Sequence, residues 1–310
     1  MKHLENSFKG KNNFWRYLLM IAFIFIATNI IGVIPFLVAG IIKSVSNPEI
    51  LSQISSGGNF MQSLNLNQNI MFAFMLFPFI VGLAVYALLT KPLHGRSFLQ
   101  TITGASTFRW KHFFISGAVW MLLMGLSLAV YFGFYPENFT VNNTSSSLIA
   151  LILLSFLLIP FQAAFEEVIF RGYLMQGFTV LFPARIFALL ATSVLFALMH
   201  SMNPEVEEFG FFTIMPQYLA FGIIFGLLTI LDNGIESALG AHAANNIFLC
   251  ILVTQKASAL QTPALFEQHV YYPGAELSGL AVAGLIFIFA LHKIFRWKNI
   301  SVLLKKVQMP

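Results

Sequence analysis

Eight apolar stretches, near 17–42, 69–90, 112–134, 147–170, 185–203, 211–231, 235–255 and 277–296, constrain what this chain can become. Roughly 20 mostly apolar residues carry a helix across a bilayer, and each stretch qualifies. Lipid offers no hydrogen bonds to a backbone, so only helices or closed barrels can span it. A barrel would show strand segments of about 10 alternating residues, and none appear. Only 9% of the residues are charged, against about 25% in a soluble domain. The chain therefore cannot dress a water-facing surface, which excludes soluble enzymes and nucleic-acid binders. The expected fold is all-α: a polytopic membrane bundle of about eight transmembrane helices in one domain over residues 1–310.

The position of the charges sets the expected orientation. Lys2, Lys9, Lys11 and Arg16 precede the first apolar run in the manner of a signal peptide. That run exceeds the roughly 7 to 15 residues of a signal h-region and lacks a small-residue cleavage site, so it reads as a retained anchor. Alternate loops place fifteen basic residues on one side: those four with Lys91, Arg96, Arg109, Lys111, Arg171, Arg185, Lys293, Arg296, Lys298, Lys305 and Lys306. The other side has two, Lys43 and Lys256. An even span count then predicts a cell-membrane protein with both termini cytoplasmic. The outer loops at about 44–68 and 256–275 are too short for a further domain. One cysteine, Cys250, allows no internal disulfide, and the 35 phenylalanines have no mechanism beyond compositional bias.

Ionisable groups inside membrane helices cost about 2.5 to 3.5 kcal/mol each, so those present ask for a reason. They concentrate in three places: Phe165-Glu166-Glu167-Val168-Ile169-Phe170-Arg171, Phe196-Ala197-Leu198-Met199-His200 and His242-Ala243-Ala244-Asn245-Asn246. On an α-helix Glu167 and Arg171 stack in the favourable acid-first order for an ion pair. Glu166 points about 100° away and can face a cavity as a general base. The plainer alternative is an ordinary charged helix end at the cytoplasmic face.

His200 alone would read as a packing histidine, but Phe196 sits one turn earlier, where its ring can restrain the imidazole. The sequence midpoint between Glu166 and His200 is Pro183, a natural turn, so an antiparallel hairpin would bring the two to one depth. That depth is about 24 Å from the turn at 1.5 Å per residue. His242 and Asn246 share one stripe of the seventh span, where Gly240, Ala241, Ala243 and Ala244 permit close helix approach. Alternatively the stripe is an interhelical hydrogen-bond pair that only glues the bundle.

Together these residues supply a base, a second proton-handling group and two donors for an oxyanion, which is the inventory of a hydrolase. No Gly-x-Ser-x-Gly stretch occurs and Cys250 has no adjacent base, so water is the expected attacker. Glu166, His200 and His242 could instead furnish a catalytic zinc site, although no His-Glu-x-x-His stretch supports it. A proton-relay transporter and a non-catalytic immunity or scaffold protein are the remaining alternatives.

Glu166-Glu167-x-x-x-Arg171, Phe196-x-x-x-His200 and His242-x-x-x-Asn246 resemble the three motifs of the CPBP family, the CAAX proteases and bacteriocin-processing intramembrane glutamic endopeptidases. The resemblance covers about residues 147–255. It implies an eight-helix bundle with a cavity open to the cytoplasm, and no cofactor. Glu166 and His200 would activate water, and His242 with Asn246 would stabilise the oxyanion. Glu167, Arg171 and Phe196 would support the site. The implied partner is a peptide or membrane-protein substrate, lipidated or not, and no nucleic acid. Residues 1–146 and 256–310 lie outside the motifs, so substrate selection does not carry over.

Overall fold

The computed structural model describes residues 2–47, 60–142, 144–297 and 300–308. Lys298 and much of the expected outer loop at 44–68 lie outside the described residues.

The first expected span is two helices, α1 (Phe14–Ile30) and α2 (Ile34–Ser46). They part around Gly32, where a Cβ would stand 2.1 Å from the Thr28 carbonyl oxygen and 2.9 Å from Pro78 Cβ. Only glycine admits that approach, and Pro35 then opens α2 at a position where its missing N–H costs nothing. Helix α3 (Gln68–His94) is capped by the Asn67 side chain, which accepts from Asn69 N, and ends at Gly95 in the left-handed conformation. Helix α4 spans Trp110–Phe134.

The fourth span runs well past its expected end. Helix α5 (Ser146–Glu167) continues through a π-helical stretch, Val168–Leu174, into α6 (Met175–Leu181). Its 36 residues make about 54 Å, far more than a hydrocarbon core of about 30 Å. Part of this rod therefore stands outside the apolar layer. The expected turn follows at Pro183, and α7 (Arg185–Met199) returns alongside. A short helix α8 (Pro204–Phe209) leads into α9 (Phe211–Asp232), α10 (Glu236–Leu252) and α11 (Pro273–Phe295).

Among the described residues, six helical segments are long and apolar enough to cross a membrane. The other two expected spans are the shorter α7 and α10, of 15 and 17 residues, and both carry site residues. Helix α10 is enclosed by α4, α5 and α9. Its small residues do what their pattern predicts: a Cβ on Gly240 would stand 2.0 Å from the Phe113 carbonyl oxygen, so α4 and α10 touch backbone to backbone. Trp120, Phe225, Leu228 and Phe287 fill the core between α4, α9 and α11. Large apolar side chains such as Phe25, Leu88, Leu126, Leu153 and Phe289 face outward, a surface that lipid covers and water would not tolerate. The chain is a multi-pass membrane protein.

Sequence reading had no signal for two features. A small sheet joins β1 (Phe139–Val141), β2 (Val253–Thr254) and β3 (Phe266–Gln268) in the order β1-β3-β2, antiparallel then parallel. Both ends of the described chain also pack on this hairpin: His3 Nε2 donates to the Arg171 carbonyl of the π-helical stretch at 3.1 Å, and Val307 N donates to the Pro183 carbonyl at the α6–α7 turn at 2.8 Å.

One expectation is corrected. Arg171, tallied among the loop cations, has no solvent exposure at all, and Glu166 and Glu167 are buried with it. This cluster is inside the bundle, not an ordinary charged helix end, and Arg96 and Arg185 of the same tally are buried as well.

Candidate active site

Helix α5 presents Glu166 and Glu167 at its last two positions, where the π-helical stretch begins. Such stretches recur at functional sites because they re-aim side chains that a regular helix would space evenly. The expected ion pair forms: Arg171 Nη1 donates to Glu167 Oε1 at 2.8 Å. The guanidinium also lies 4.3 Å from the Phe196 ring centroid and donates to the Gly222 carbonyl. A buried arginine needs all of these to offset its lost hydration.

Glu167 Oε1 accepts a second bond, from His242 Nδ1 at 2.7 Å. The carboxylate thereby joins α5 to α10, and Phe225 of α9 stacks on the His242 ring at 5.0 Å. Because Nδ1 is the donor, His242 turns Nε2 toward Glu166 Oε2, 3.7 Å away. His200, at the end of α7, is held in the same sense. Its Nδ1 donates to the Phe196 carbonyl at 2.7 Å, and its Nε2 lies 3.9 Å from Glu166 Oε2. Phe196 packs on the imidazole at 4.6 Å as the spacing predicts, and Tyr218 of α9 stacks on it at 4.3 Å.

Three atoms thus converge: one carboxylate oxygen and two imidazole nitrogens. Glu166 Oε2 is buried and makes no hydrogen bond within the protein. Separations of 3.7 and 3.9 Å are too long for direct hydrogen bonds and match groups bridged by a water.

The other oxygen of Glu166 is occupied. Gln162 Nε2 donates to Glu166 Oε1 at 2.5 Å, and Gln162 Oε1 accepts from Asn246 Nδ2 at 2.9 Å. Gln162 therefore ties the glutamate to the asparagine across two helices. Sequence reading passed over it, as it did Tyr218 and Phe225. Its signal was available, since Gln162 stands four residues before Glu166 on the same helix face in an otherwise apolar run. All seven expected residues, Glu166, Glu167, Arg171, Phe196, His200, His242 and Asn246, belong to this one network.

Cys250 does not join it. The thiol packs in an apolar cluster with Phe72, Leu76, Leu151, Ile159 and Ile247.

The model of the type II CAAX prenyl endopeptidase Rce1-like family matches residues 145–248, which contain all three motifs. YyaK of Bacillus subtilis (strain 168), an uncharacterized protein, is 30% identical over 260 residues, 83% of this chain and 84% of that one. No solved structure matches. A relative similar over most of both chains, a family model on the motif-bearing helices and an enclosed acid–imidazole cluster agree: this chain belongs to the CPBP family of Rce1-like CAAX proteases, which are membrane peptide hydrolases.

Proposed function

We propose that this protein is an intramembrane glutamic endopeptidase that cleaves peptide bonds with a water molecule activated by Glu166 and His200. One observation carries the reading: Glu166 Oε2 is buried, unbonded within the protein and faced by two imidazole Nε2 atoms at 3.7 and 3.9 Å. A water held there gives one proton to the Glu166 carboxylate while its oxygen attacks the scissile carbonyl carbon. Gln162 restrains the carboxylate, so the free oxygen meets the water without searching other rotamers.

The tetrahedral intermediate places negative charge on the former carbonyl oxygen. Asn246 Nδ2 has a second N–H beyond the one given to Gln162, and that N–H donates to the oxyanion. His242 uses Nδ1–H on Glu167, so it donates through Nε2 only as the doubly protonated ring, whose charge the Glu167 carboxylate balances. Arg171 and Phe196 keep Glu167 and His200 in place. When the C–N bond breaks, the proton held by Glu166 passes to the leaving amine and the carboxylate is restored. No metal takes part in this scheme.

The substrate is a peptide or a membrane-protein segment, lipidated as in CAAX processing or unlipidated, entering from the cytoplasmic side. The basic-residue asymmetry supports that orientation, with both termini cytoplasmic in the cell membrane.

The test is cleavage of a farnesylated CAAX peptide and of membrane proteins by purified wild type and Glu166→Gln. Loss of hydrolysis with an unchanged melting curve supports the reading, whereas undiminished cleavage ends it. Stoichiometric zinc in the purified protein, with activity lost to chelators, would replace it by metal catalysis.

A further inference from the structure

The bond from Asn246 to Gln162 is one link of a longer chain. Trp120 Nε1 on α4 donates to Asn245 Oδ1 at 3.2 Å, and Asn245 Nδ2 donates to Asn246 Oδ1 at 3.0 Å. Asn246 Nδ2 then donates to Gln162 Oε1 at 2.9 Å, and Gln162 Nε2 donates to Glu166 Oε1 at 2.5 Å. Four bonds run in one sense through three amides. Trp120, Asn245, Gln162 and Glu166 are buried, so water offers little competition.

The ends of the chain fix its direction. An indole N–H can only donate, and an ionised carboxylate can only accept. Each amide between them has one consistent orientation, since turning any one over would set N–H against N–H or oxygen against oxygen. A carboxamide alone is nearly symmetric in shape, and either end can face a cavity. Here Trp120 removes that freedom: Asn245 must show its oxygen to the indole, so Asn246 must receive on its oxygen and donate from its nitrogen.

We propose that Trp120 and Asn245 are positioning residues for peptide hydrolysis, which act through Asn246 by keeping its N–H₂ group toward the oxyanion. Gln162 passes the same order to the base, so oxyanion donor and general base are set by one directional relay. This rests on the peptidase reading for its catalytic consequence, but the relay itself is a property of the fold. Neither Trp120 nor Asn245 touches the reacting atoms. Nothing in the spacing of the three motifs implies a partner on α4.

The test uses purified full-length protein in detergent with a fluorogenic farnesylated CAAX peptide. Trp120→Phe keeps an aromatic ring and removes the sole N–H that starts the chain. Its expected effect is a kcat about fivefold lower, the scale of one hydrogen bond, with KM within about twofold. In the Asn246→Ala background, Trp120→Phe should cause no further loss, because its effect passes through Asn246. Unchanged kcat in Trp120→Phe, or losses that multiply in the double variant, would overturn the relay.

A second readout does not need activity. The Trp120 indole ¹⁵N–¹H resonance, assigned by its disappearance in Trp120→Phe, should move in Gln162→Met. Asn246→Asp should move it as well and serves if Gln162→Met does not fold. A resonance fixed in both variants refutes the relay even if the enzyme cleaves. A resonance that moves in a protein whose Glu166→Gln variant cleaves normally keeps the relay and sinks the assignment of Glu166 as the base.

Discussion

Two buried clusters of opposite charges lie in this bundle, and they are finished differently. At the α9–α10 turn, Asp232 accepts from Arg109, His112, Ser237 and Trp297, the shortest of these bonds being 2.7 Å. Both Glu236 oxygens are taken by Arg109, at 3.0 and 2.6 Å. Every carboxylate oxygen there has a donor. In the cluster around Glu166 and Glu167, each glutamate keeps one oxygen without a partner. An unsatisfied buried carboxylate is expensive, and a fold has no structural use for it. The satisfied cluster ties helix ends together; on the proposed function, the free oxygen of Glu166 accepts from the attacking water.

This contrast can be broken most directly by amide isosteres. Glu166→Gln should lower hydrolysis on the order of 10³-fold, the scale of a lost general base, while its melting temperature in detergent stays within a few degrees. An unstable Glu166→Gln protein would mean that the glutamate is scaffold after all.

Arg171→Ala should fall on the stability side although it belongs to the site. It leaves Glu167 with a buried charge answered only by His242, and about 3 kcal/mol of stability should go. Denaturant unfolding that matches wild type would show the pair to be dispensable.

The N-terminal contact gives a pH test. Burial, the largest influence, pushes the His3 pKa from 6.5 down to about 4, against the opposing pull of its bond to the Arg171 carbonyl. The unfolded chain therefore binds the proton first. The stabilisation is complete above about pH 6.5 and is lost as pH falls toward 4, a change of about 3 kcal/mol. Unfolding followed from pH 7 to 4 should show that slope, and His3→Gln should flatten it.

The smallest expected effect is at the satisfied cluster. Asp232→Asn cannot serve all four donors, so it should cost about 2 kcal/mol in a melting experiment and leave kcat within twofold. Reduced turnover at full stability would move this cluster into the catalytic machinery.

What the sequence revealed follows from distance along the chain. The Glu167–Arg171 pair and the packing of Phe196 on His200 are one-turn relations within a helix, and both appear as the spacing predicts. Pro183 marked the hairpin because a proline between two apolar runs needs no tertiary knowledge. Gln162 acquires meaning only when α10 brings Asn246 beside it, and Glu167 gains its second partner, His242, from 75 residues away. Nor did any residue announce the π-helical stretch: Val168-Ile169-Phe170 reads as ordinary apolar helix, and the wider turn goes with tertiary contacts around Arg171 and His3. Arg171 stood in two sequence readings, as a loop cation and as the partner of Glu167 within the bundle, and its burial decides for the second.

The hairpin that supplies Glu166 and His200 is tethered at its tip from two directions. Gln176 Nε2 donates to the His3 carbonyl beside the π-helical stretch, while Val307 and Lys306 pair with Pro183 and Ala184. A purification handle or fluorescent protein fused to either end of this chain would therefore load the lever that carries Glu166, the base of the proposed mechanism. Turnover compared between amino- and carboxyl-terminal fusions, with each handle then excised, would register that mechanical link as a difference in rate without any change of side chain.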